Sequence, residues 1–121
     1  MAHWIIIPDV PPSLNVWQRM HWRKRGRLTR RFGDLLVACG ARDVPEATGQ
    51  KRKVSIIEYR KRMLDKDNLY GGVKPLVDAI KRLGLVVDDN EAWCELVVEQ
   101  ARALGVPQTV IKVEEWTCRT S

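Results

Sequence analysis

The sequence has 121 residues, enough for one compact domain but not for a separate cofactor-binding domain. Hydrophobic residues make up 45% and charged residues 30%, which is too apolar for intrinsic disorder. No apolar run reaches the roughly 18 residues of a membrane span, and the amino terminus lacks a basic leader. We therefore expect one cytoplasmic domain, residues 1–121, without membrane partners or a small-molecule cofactor.

Positive charge is concentrated in the first part of the chain. The net charge is +6; residues 1–87 carry 18 basic and 8 acidic residues, and residues 88–121 carry 3 basic and 7 acidic. Such a field attracts a polyanion without identifying it. Cys39, Cys94 and Cys118 are widely spaced and form no C-x-x-C pair, so neither structural zinc nor a disulfide framework is expected.

The first predicted element is a β-branched strand from Trp4 to Pro8. The next segment, Asp9 to Asn15, has two adjacent prolines and leads into a basic stretch, so we expect a long loop. The first helix is predicted from apolar residues at helical spacing, with Thr29 near its start and Gly40 near its end. The stripe consists of Leu28, Phe32, Leu35, Leu36 and Cys39.

The second half of the chain alternates strands with a helix. A strand from Val54 to Tyr59 runs towards Leu64, and a helix follows from Val73 to Leu83, or from a kinked start capped by Asp67 or Asn68. The remaining predicted strands are Leu85–Val87, Trp93–Ala101 and Thr109–Trp116, the last two antiparallel. The order β-α-β-α-β-β predicts a small α+β domain with a mixed sheet and two main helices packed on one of its faces.

Four carboxylates lie in a 25-residue window of this basic chain, in Asp65-Lys-Asp67-Asn68 and in Asp88-Asp89-Asn90. Grouped carboxylates repel one another unless a cation such as Mg²⁺ binds with a substrate phosphate. If the Val54 and Leu85 strands are parallel neighbours, both pairs end at the carboxyl edge of one sheet. The alternative is that these aspartates are helix caps and turn residues. Lys74 and Asp78 are by default a solvated i,i+4 pair.

Three motifs resemble the RusA family of Holliday junction resolvases: D-x-D-N from Asp65, G-V-K-P-L-V-D-A-I from Gly72 and G-L-V-V-D-D-N from Gly84. Pro11-Pro12-Ser13-x-Asn15 is similar to that family's proline-rich opening, so the resemblance spans roughly residues 5–100. The five residues from Leu69 to Val73 make the gap before the lysine longer than in the best-known member.

The resemblance implies that Asp65, Asp67 and Asp89 bind Mg²⁺, with Asp88 as a weaker candidate ligand, and that Lys74 assists catalysis. Mn²⁺ is the alternative metal. Phosphodiester hydrolysis needs an activated water and stabilised negative charge, which metal ions and a lysine supply. No Ser-His-Asp or Cys-His arrangement in the sequence offers a competing mechanism.

A basic stretch with interleaved tryptophans has seven basic residues between Arg19 and Arg31. This composition is typical of nucleic-acid contacts, where basic side chains neutralise phosphates and Trp17 or Trp22 stacks on a base. The alternative is a solvated loop whose tryptophans fill the core. The candidate DNA-binding residues are Arg19, His21, Trp22, Arg23, Lys24, Arg25, Arg27, Arg30, Arg31, Lys51, Arg52, Lys53, Arg60, Lys61 and Arg62.

We therefore predict a Mg²⁺-dependent endonuclease that cuts branched DNA, most simply four-way junctions, as a homodimer with one site per subunit. The candidate dimer interface is the apolar side of the strands Trp93–Ala101 and Thr109–Trp116. One rival hypothesis is a non-catalytic DNA-binding protein with structural acidic turns. Another, a nucleotide-handling D-x-D enzyme, normally needs a larger chain.

Overall fold

A four-stranded mixed sheet forms the centre of the fold in the computed structural model, which describes residues 2–117. The sheet order is β1-β4-β2-β3; β4 is antiparallel to both of its neighbours, and β2 is parallel to β3. In chain order the elements are β1 (Ala2–Ile7), α1 (Leu14–Arg19), α2 (Trp22–Ala38), a 3-10 turn (Ala41–Asp43), β2 (Arg52–Arg60), α3 (Lys66–Gly72), α4 (Lys74–Arg82), β3 (Cys94–Arg102) and β4 (Gln108–Glu115). This arrangement confirms the predicted small α+β domain.

The core lies on the helix side of the sheet, as the alternating strand patterns require. Ile5, Val54, Ile56 and Ile111 are fully or almost fully buried there, and the helices add Phe32 and other apolar residues. The opposite face of the sheet carries exposed and half-buried side chains. Among residues 2–117, no helix is long and apolar enough to cross a membrane.

The last two strands run in opposite directions, as expected, but they are not neighbours because β2 lies between them. The predicted strand Leu85–Val87 is wrong: this segment is irregular and lies outside the sheet. Leu85 and Val86 are each only 2% exposed, so their apolar character reflects core packing. The Leu85 carbonyl accepts a 2.9 Å hydrogen bond from the Arg52 side chain instead of a neighbouring strand.

The predicted long loop is shorter than expected, because the basic stretch is helical. The Ser13 hydroxyl caps α1 by accepting a hydrogen bond from the backbone N–H of Val16 at 3.2 Å. His21 caps α2, since its Nδ1 accepts from the backbone N–H of Arg23 at 3.2 Å. Arginine is a good helix former, so capped basic residues extend the helix beyond its apolar stripe.

The predicted start near Val73 is confirmed, since α4 begins at Lys74. The earlier start also has a counterpart in α3, but its predicted cap is wrong, because Asp65 caps α3 while Asp67 and Asn68 lie inside the helix. Gly72 permits the close approach of α3 to the proline-rich segment. A Cβ at Gly72 would lie 1.9 Å from the backbone oxygen of Pro12. The glycines in the long gap before Lys74 thus have a packing role.

Candidate functional site

Asp65 caps α3 and is held by the asparagine of its own motif. Its Oδ1 accepts from the backbone N–H of Asn68 at 2.9 Å, and the Asn68 side-chain amide donates to both carboxylate oxygens at 3.2 and 3.0 Å. These hydrogen bonds hold the pKa of Asp65 below its ordinary value, and the bond from the backbone N–H of Asn68 is the largest cause. Asn68 Oδ1 also accepts from the backbone N–H of Asn15 at 3.0 Å. Asn68 therefore links the D-x-D-N motif to the proline-rich opening.

Asp67 lies in the first turn of α3 and is exposed. Carboxylates in a first helical turn are favoured by the helix dipole. Asp65 and Asp67 therefore form one exposed acidic pair at the start of α3, with an ionised carboxylate at Asp65.

The second acidic pair, Asp88 and Asp89, is bound to a lysine of α4. Lys81 Nζ lies 3.0 Å from Asp88 Oδ1 and 3.9 Å from Asp89 Oδ1. The hydrogen bond from Lys81 is the main cause that lowers the pKa of Asp88, and the same bond raises the pKa of Lys81. Asp88 Oδ1 also accepts from the backbone N–H of Asp89 at 2.7 Å. This pair therefore already has a cationic partner in Lys81.

The prediction that both acidic pairs end at one carboxyl edge of the sheet is wrong. In the parallel β2–β3 register, Arg52 lies beside Cys94 and Arg60 beside Arg102. Asp65 follows the carboxyl end of β2, whereas Asp89 precedes the amino end of β3. Within residues 2–117, no three His, Cys, Asp or Glu side chains form a group able to hold a metal ion. The structure brings the predicted ligands together as two pairs, not as one cluster.

Lys74 is the first residue of α4, and its Nζ lies 3.7 Å from Asp78 Oδ1. This is the solvated i,i+4 pair that was the alternative to a catalytic role. With its side chain 60% exposed, the lysine keeps access to solvent and to a ligand. An exposed pair of this kind contributes little to stability.

A largely buried polar row crosses the sheet near the start of α3, and the sequence did not predict it. Thr109, Glu58 and Gln100 are neighbours across β4, β2 and β3. The Gln100 side chain accepts a hydrogen bond from the backbone N–H of Leu64 at 2.9 Å and donates one to the Leu64 carbonyl at 2.6 Å. Leu64 directly precedes Asp65. The Thr109 hydroxyl donates to the Asp9 carbonyl at 2.6 Å. The row therefore anchors the two segments that lead into α1 and α3.

Glu58 is the charged member of this row and is only 1% exposed. Its Oε1 accepts from Arg60 Nη1 at 2.6 Å, and the same nitrogen donates to the Pro11 carbonyl at 2.8 Å. Glu58 Oε2 and Arg60 Nε are buried and have no hydrogen-bond partner among residues 2–117. Burial raises the pKa of Glu58 to about 7, although Arg60 opposes the shift. A glutamate within a β-branched run was the only sequence signal for this pair.

The predicted basic residues divide into a buried group and an exposed group. Arg52 is 3% exposed and donates to Glu115, the Pro45 carbonyl and the Leu85 carbonyl. Arg60 is bound to Glu58 as described above. Both are removed from the candidate DNA contacts, because their guanidinium groups are used inside the protein.

Within the α1–α2 segment, Arg25 is also used by the fold. Its side chain donates to the carbonyls of Trp17 and Gln18 at 3.1 and 2.9 Å, and its guanidinium lies over the Trp17 ring. Trp17 is 7% exposed and belongs to the buried residues, whereas Trp22 is 69% exposed. Trp17 therefore matches the alternative in which a tryptophan fills the core. Trp22 is available to a ligand, as the stacking role requires. Arg31 pairs with Asp9 at 3.2 Å.

The remaining predicted basic residues are exposed or half-buried at the surface. His21 and Arg23 both contact the Trp22 ring. The centroids of the His21 and Trp22 rings are 5.5 Å apart, and the Arg23 guanidinium lies 5.1 Å from the Trp22 ring centroid. Lys51 lies over the Trp116 ring, and Lys53 lies on the open face of the sheet. The other residues of this group are Arg19, Lys24, Arg27, Arg30, Lys61 and Arg62.

One face of α2 and the end of α4 form a groove of about 430 Å³, here named the arginine groove. One glycine, one tryptophan and four arginines line it. Arg82 was not among the predicted basic contacts, because only the packing of α4 against α2 brings it to this face. The groove is lined by Trp22, Arg23, Gly26, Arg27, Arg30 and Arg82.

Comparison with known proteins adds no assignment to this geometry. No protein-family model matches the chain, and no curated protein matches it at a significant level.

Proposed function

We propose that the protein is a Mg²⁺-dependent endodeoxyribonuclease that resolves four-way DNA junctions by paired nicking, in DNA recombination and repair. Mn²⁺ is the alternative metal. The proposed setting is the cytoplasm of a bacterium or of a phage-infected cell. The resemblance of the D-x-D-N and G-L-V-V-D-D-N motifs to the RusA family gives the proposal its substrate.

The observation that carries the proposal is the presence of two acidic pairs, each with one carboxylate whose pKa is lowered, in a chain with a net charge of +6. Hydrogen bonds from Asn68 and Lys81 keep Asp65 and Asp88 ionised. An ionised carboxylate is the form that binds a hard cation. The basic helix α2 supplies the complementary surface for a polyanion.

The residues fit Mg²⁺ as two pairs. Mg²⁺ is usually bound by one or two carboxylates together with substrate phosphates, so Asp65 with Asp67, and Asp88 with Asp89, each provide enough protein ligands. When bound, the ion supplies an activated water and stabilises charge on the phosphate. The protein's own part is to hold Asp65 through the Asn68 amide. The exposed Lys74 ammonium would stabilise negative charge that develops on the phosphate.

A second candidate function, non-catalytic DNA binding, is favoured by the caps and ion pairs of the same aspartates. Asp65 has a complete capping role, and Asp88 has Lys81 as its partner. In that case the acidic groups serve the fold alone.

Incubation of a labelled four-way junction and a matching linear duplex with the protein, with and without Mg²⁺, separates the two functions. We expect metal-dependent, symmetrically paired nicks in the junction and little cutting of the duplex. Tight binding without any cutting in Mg²⁺ or Mn²⁺ would leave only the second function.

We further propose a homodimer, with the interface moved from its predicted position. The apolar side of β3 and β4 faces the helices, where Val98, Ile111 and Val113 are buried, so it cannot serve as the interface. The open face of the sheet carries the exposed Trp4 and Ile6, together with a groove of about 260 Å³. That groove is lined by the apolar residues Trp4, Ile57, Val97 and Val110, and also by positively and negatively charged side chains.

A second copy is the occupant of this face because the face is self-complementary. Lys53 and Lys112 line it together with Glu99, so a two-fold axis can bring opposite charges together around an apolar centre. Trp4→Glu should give a monomer by light scattering, with Glu91→Gln, an exposed residue before β3, as the control. A wild-type protein that is monomeric at micromolar concentration would contradict the dimer.

A further inference from the structure

The arginine groove gathers positive charge that the fold itself does not use. Arg23, Arg27, Arg30 and Arg82 line a volume of about 430 Å³. None of the four forms an ion pair with an acidic residue in the part of the chain described, residues 2–117. Guanidinium groups that face one open volume repel one another and are stabilised by an anion.

The spacing of the arginines matches one strand of a nucleic acid. Arg23, Arg27 and Arg30 lie at i, i+4 and i+7 on one face of α2, which places them along roughly 10 Å of helix axis. B-DNA carries one phosphate per strand about every 3.4 Å of duplex axis, and neighbouring phosphates lie farther apart than this in space because the strand winds around the axis. The three side chains therefore face a short run of consecutive phosphates, and Arg82 of α4 lines the same groove.

The floor of the groove is open because residue 26 is glycine. A Cβ at Gly26 would meet no atom within 4 Å, so the space above the helix is free for a ligand. Gly33, in the same helix, also has open space around a Cβ, but it does not line the groove. This pair of glycines provides a matched test of whether the volume itself matters.

We propose that the arginine groove is a seat for the sugar–phosphate backbone of one DNA strand, and that Arg82 is a phosphate-binding residue. Arginine suits this role because its planar guanidinium donates two parallel hydrogen bonds to a phosphate. Arg82 directly follows Lys81, which holds Asp88 and Asp89. This inference deepens the proposed function and depends on its DNA partner.

The test measures binding of a fluorescein-labelled four-way junction in EDTA, between about 50 and 200 mM salt. Arg82→Ala should flatten the slope of log affinity against log salt by about 0.9, the loss of one phosphate contact. Arg82→Lys should retain most of the slope because the charge remains. Arg42→Ala removes an exposed arginine of the 3-10 turn, outside the groove, and should leave the slope unchanged.

Gly26→Leu fills the groove without altering charge and should weaken binding by about tenfold, whereas Gly33→Leu should bind like the wild type. Both changes raise helix propensity, so thermal unfolding should show folded variants. Equal slopes for Arg82→Ala and Arg42→Ala, or equal affinities for the two leucine variants, would overturn the proposal. Since EDTA prevents metal-dependent cutting, this result is independent of whether the wild type cleaves junctions in Mg²⁺.

Discussion

Two polar regions of this molecule use their charges in opposite ways. Near the carboxyl end of β2, the buried Glu58 accepts a hydrogen bond from the half-buried Arg60, whose Nη1 also donates to the Pro11 carbonyl. Along α2, Arg27 and Arg30 face an open groove and have no acidic partner within residues 2–117. The first region positions the chain, and the second is available to a ligand. Residue type alone does not separate them, since arginine occurs in both.

The comparison teaches that the partners of a charged group indicate its role better than its place in a basic run. The aspartates are intermediate: they are exposed, yet Asn68 and Lys81 engage two of them. A change in the exposed region should therefore alter DNA binding or cleavage at nearly constant stability. A change in the buried region should alter stability first.

The largest expected effect is on cleavage. Asp65→Asn, Asp67→Asn and Asp89→Asn should each lower the rate of junction cleavage by about 100-fold or more, because an amide is a much poorer ligand for Mg²⁺. Junction binding should stay equal or become tighter, since negative charge near phosphate is removed. Single-turnover cleavage and anisotropy in EDTA measure the two quantities.

Asp43→Asn, in the exposed 3-10 turn, is the matched control and should cleave normally. If the three variants cut at the control's rate, the aspartates have only their capping and turn roles.

The next largest effect concerns the contact between α3 and the proline-rich segment. Gly72→Ala should lower the free energy of unfolding by about 3 kcal/mol, because the new Cβ would lie 1.9 Å from the Pro12 oxygen, a backbone atom. Gly33→Ala adds a methyl group in open space and should stabilise α2 by up to about 1 kcal/mol. Urea unfolding compares them. Equal stabilities would show that the two segments are not in close contact.

The buried glutamate should make stability depend on pH. The pKa of Glu58 is raised from 4.5 to about 7 in the folded protein, so the stabilisation is complete below the unfolded pKa and is lost as pH rises through about 7. The loss is about 3 kcal/mol, at about 1.4 kcal/mol per pH unit. Glu58→Gln mimics the neutral acid, so it should match the wild type at acidic pH and be the more stable protein at pH of about 8.

Urea unfolding of the wild type and Glu58→Gln at several pH values measures this difference. Glu91→Gln, at an exposed glutamate just before β3, is the control. A gap between wild type and Glu58→Gln that does not change with pH would contradict the buried, raised-pKa carboxyl.

The smallest expected effects distinguish two adjacent residues of α2, Lys24 and Arg25. Arg25→Ala should lower the free energy of unfolding by about 1–2 kcal/mol, because its hydrogen bonds to the Trp17 and Gln18 carbonyls hold α1 against α2. Lys24→Ala should leave stability unchanged and flatten the salt dependence of DNA binding by up to about 0.9 in slope. The opposite assignment of the two effects would break the distinction between buried and available charge.

The sequence by itself determined the four strands that form the sheet, the two helical stripes and the acidic pairs. Apolar periodicity reports burial directly, so β1, β2 and the α2 stripe from Leu28 to Cys39 lie where predicted. Asp65 follows β2 because chain order alone puts it there. The basic stretch is helical and not the predicted loop. Its two helices begin at the caps Ser13 and His21, which an apolar stripe does not indicate.

Only the tertiary structure decided which distant residues meet. Leu85 and Val86 have the composition of a strand, but they fill the core, and β3 takes the place beside β2. Strand order depends on long-range pairing, which no local pattern encodes, so the two acidic pairs could not be placed from the sequence. Packing of α4 against α2 likewise brings Arg82 to the arginine groove. Burial, which is a property of the whole fold, separates the arginines that stabilise the protein from those left free for a ligand.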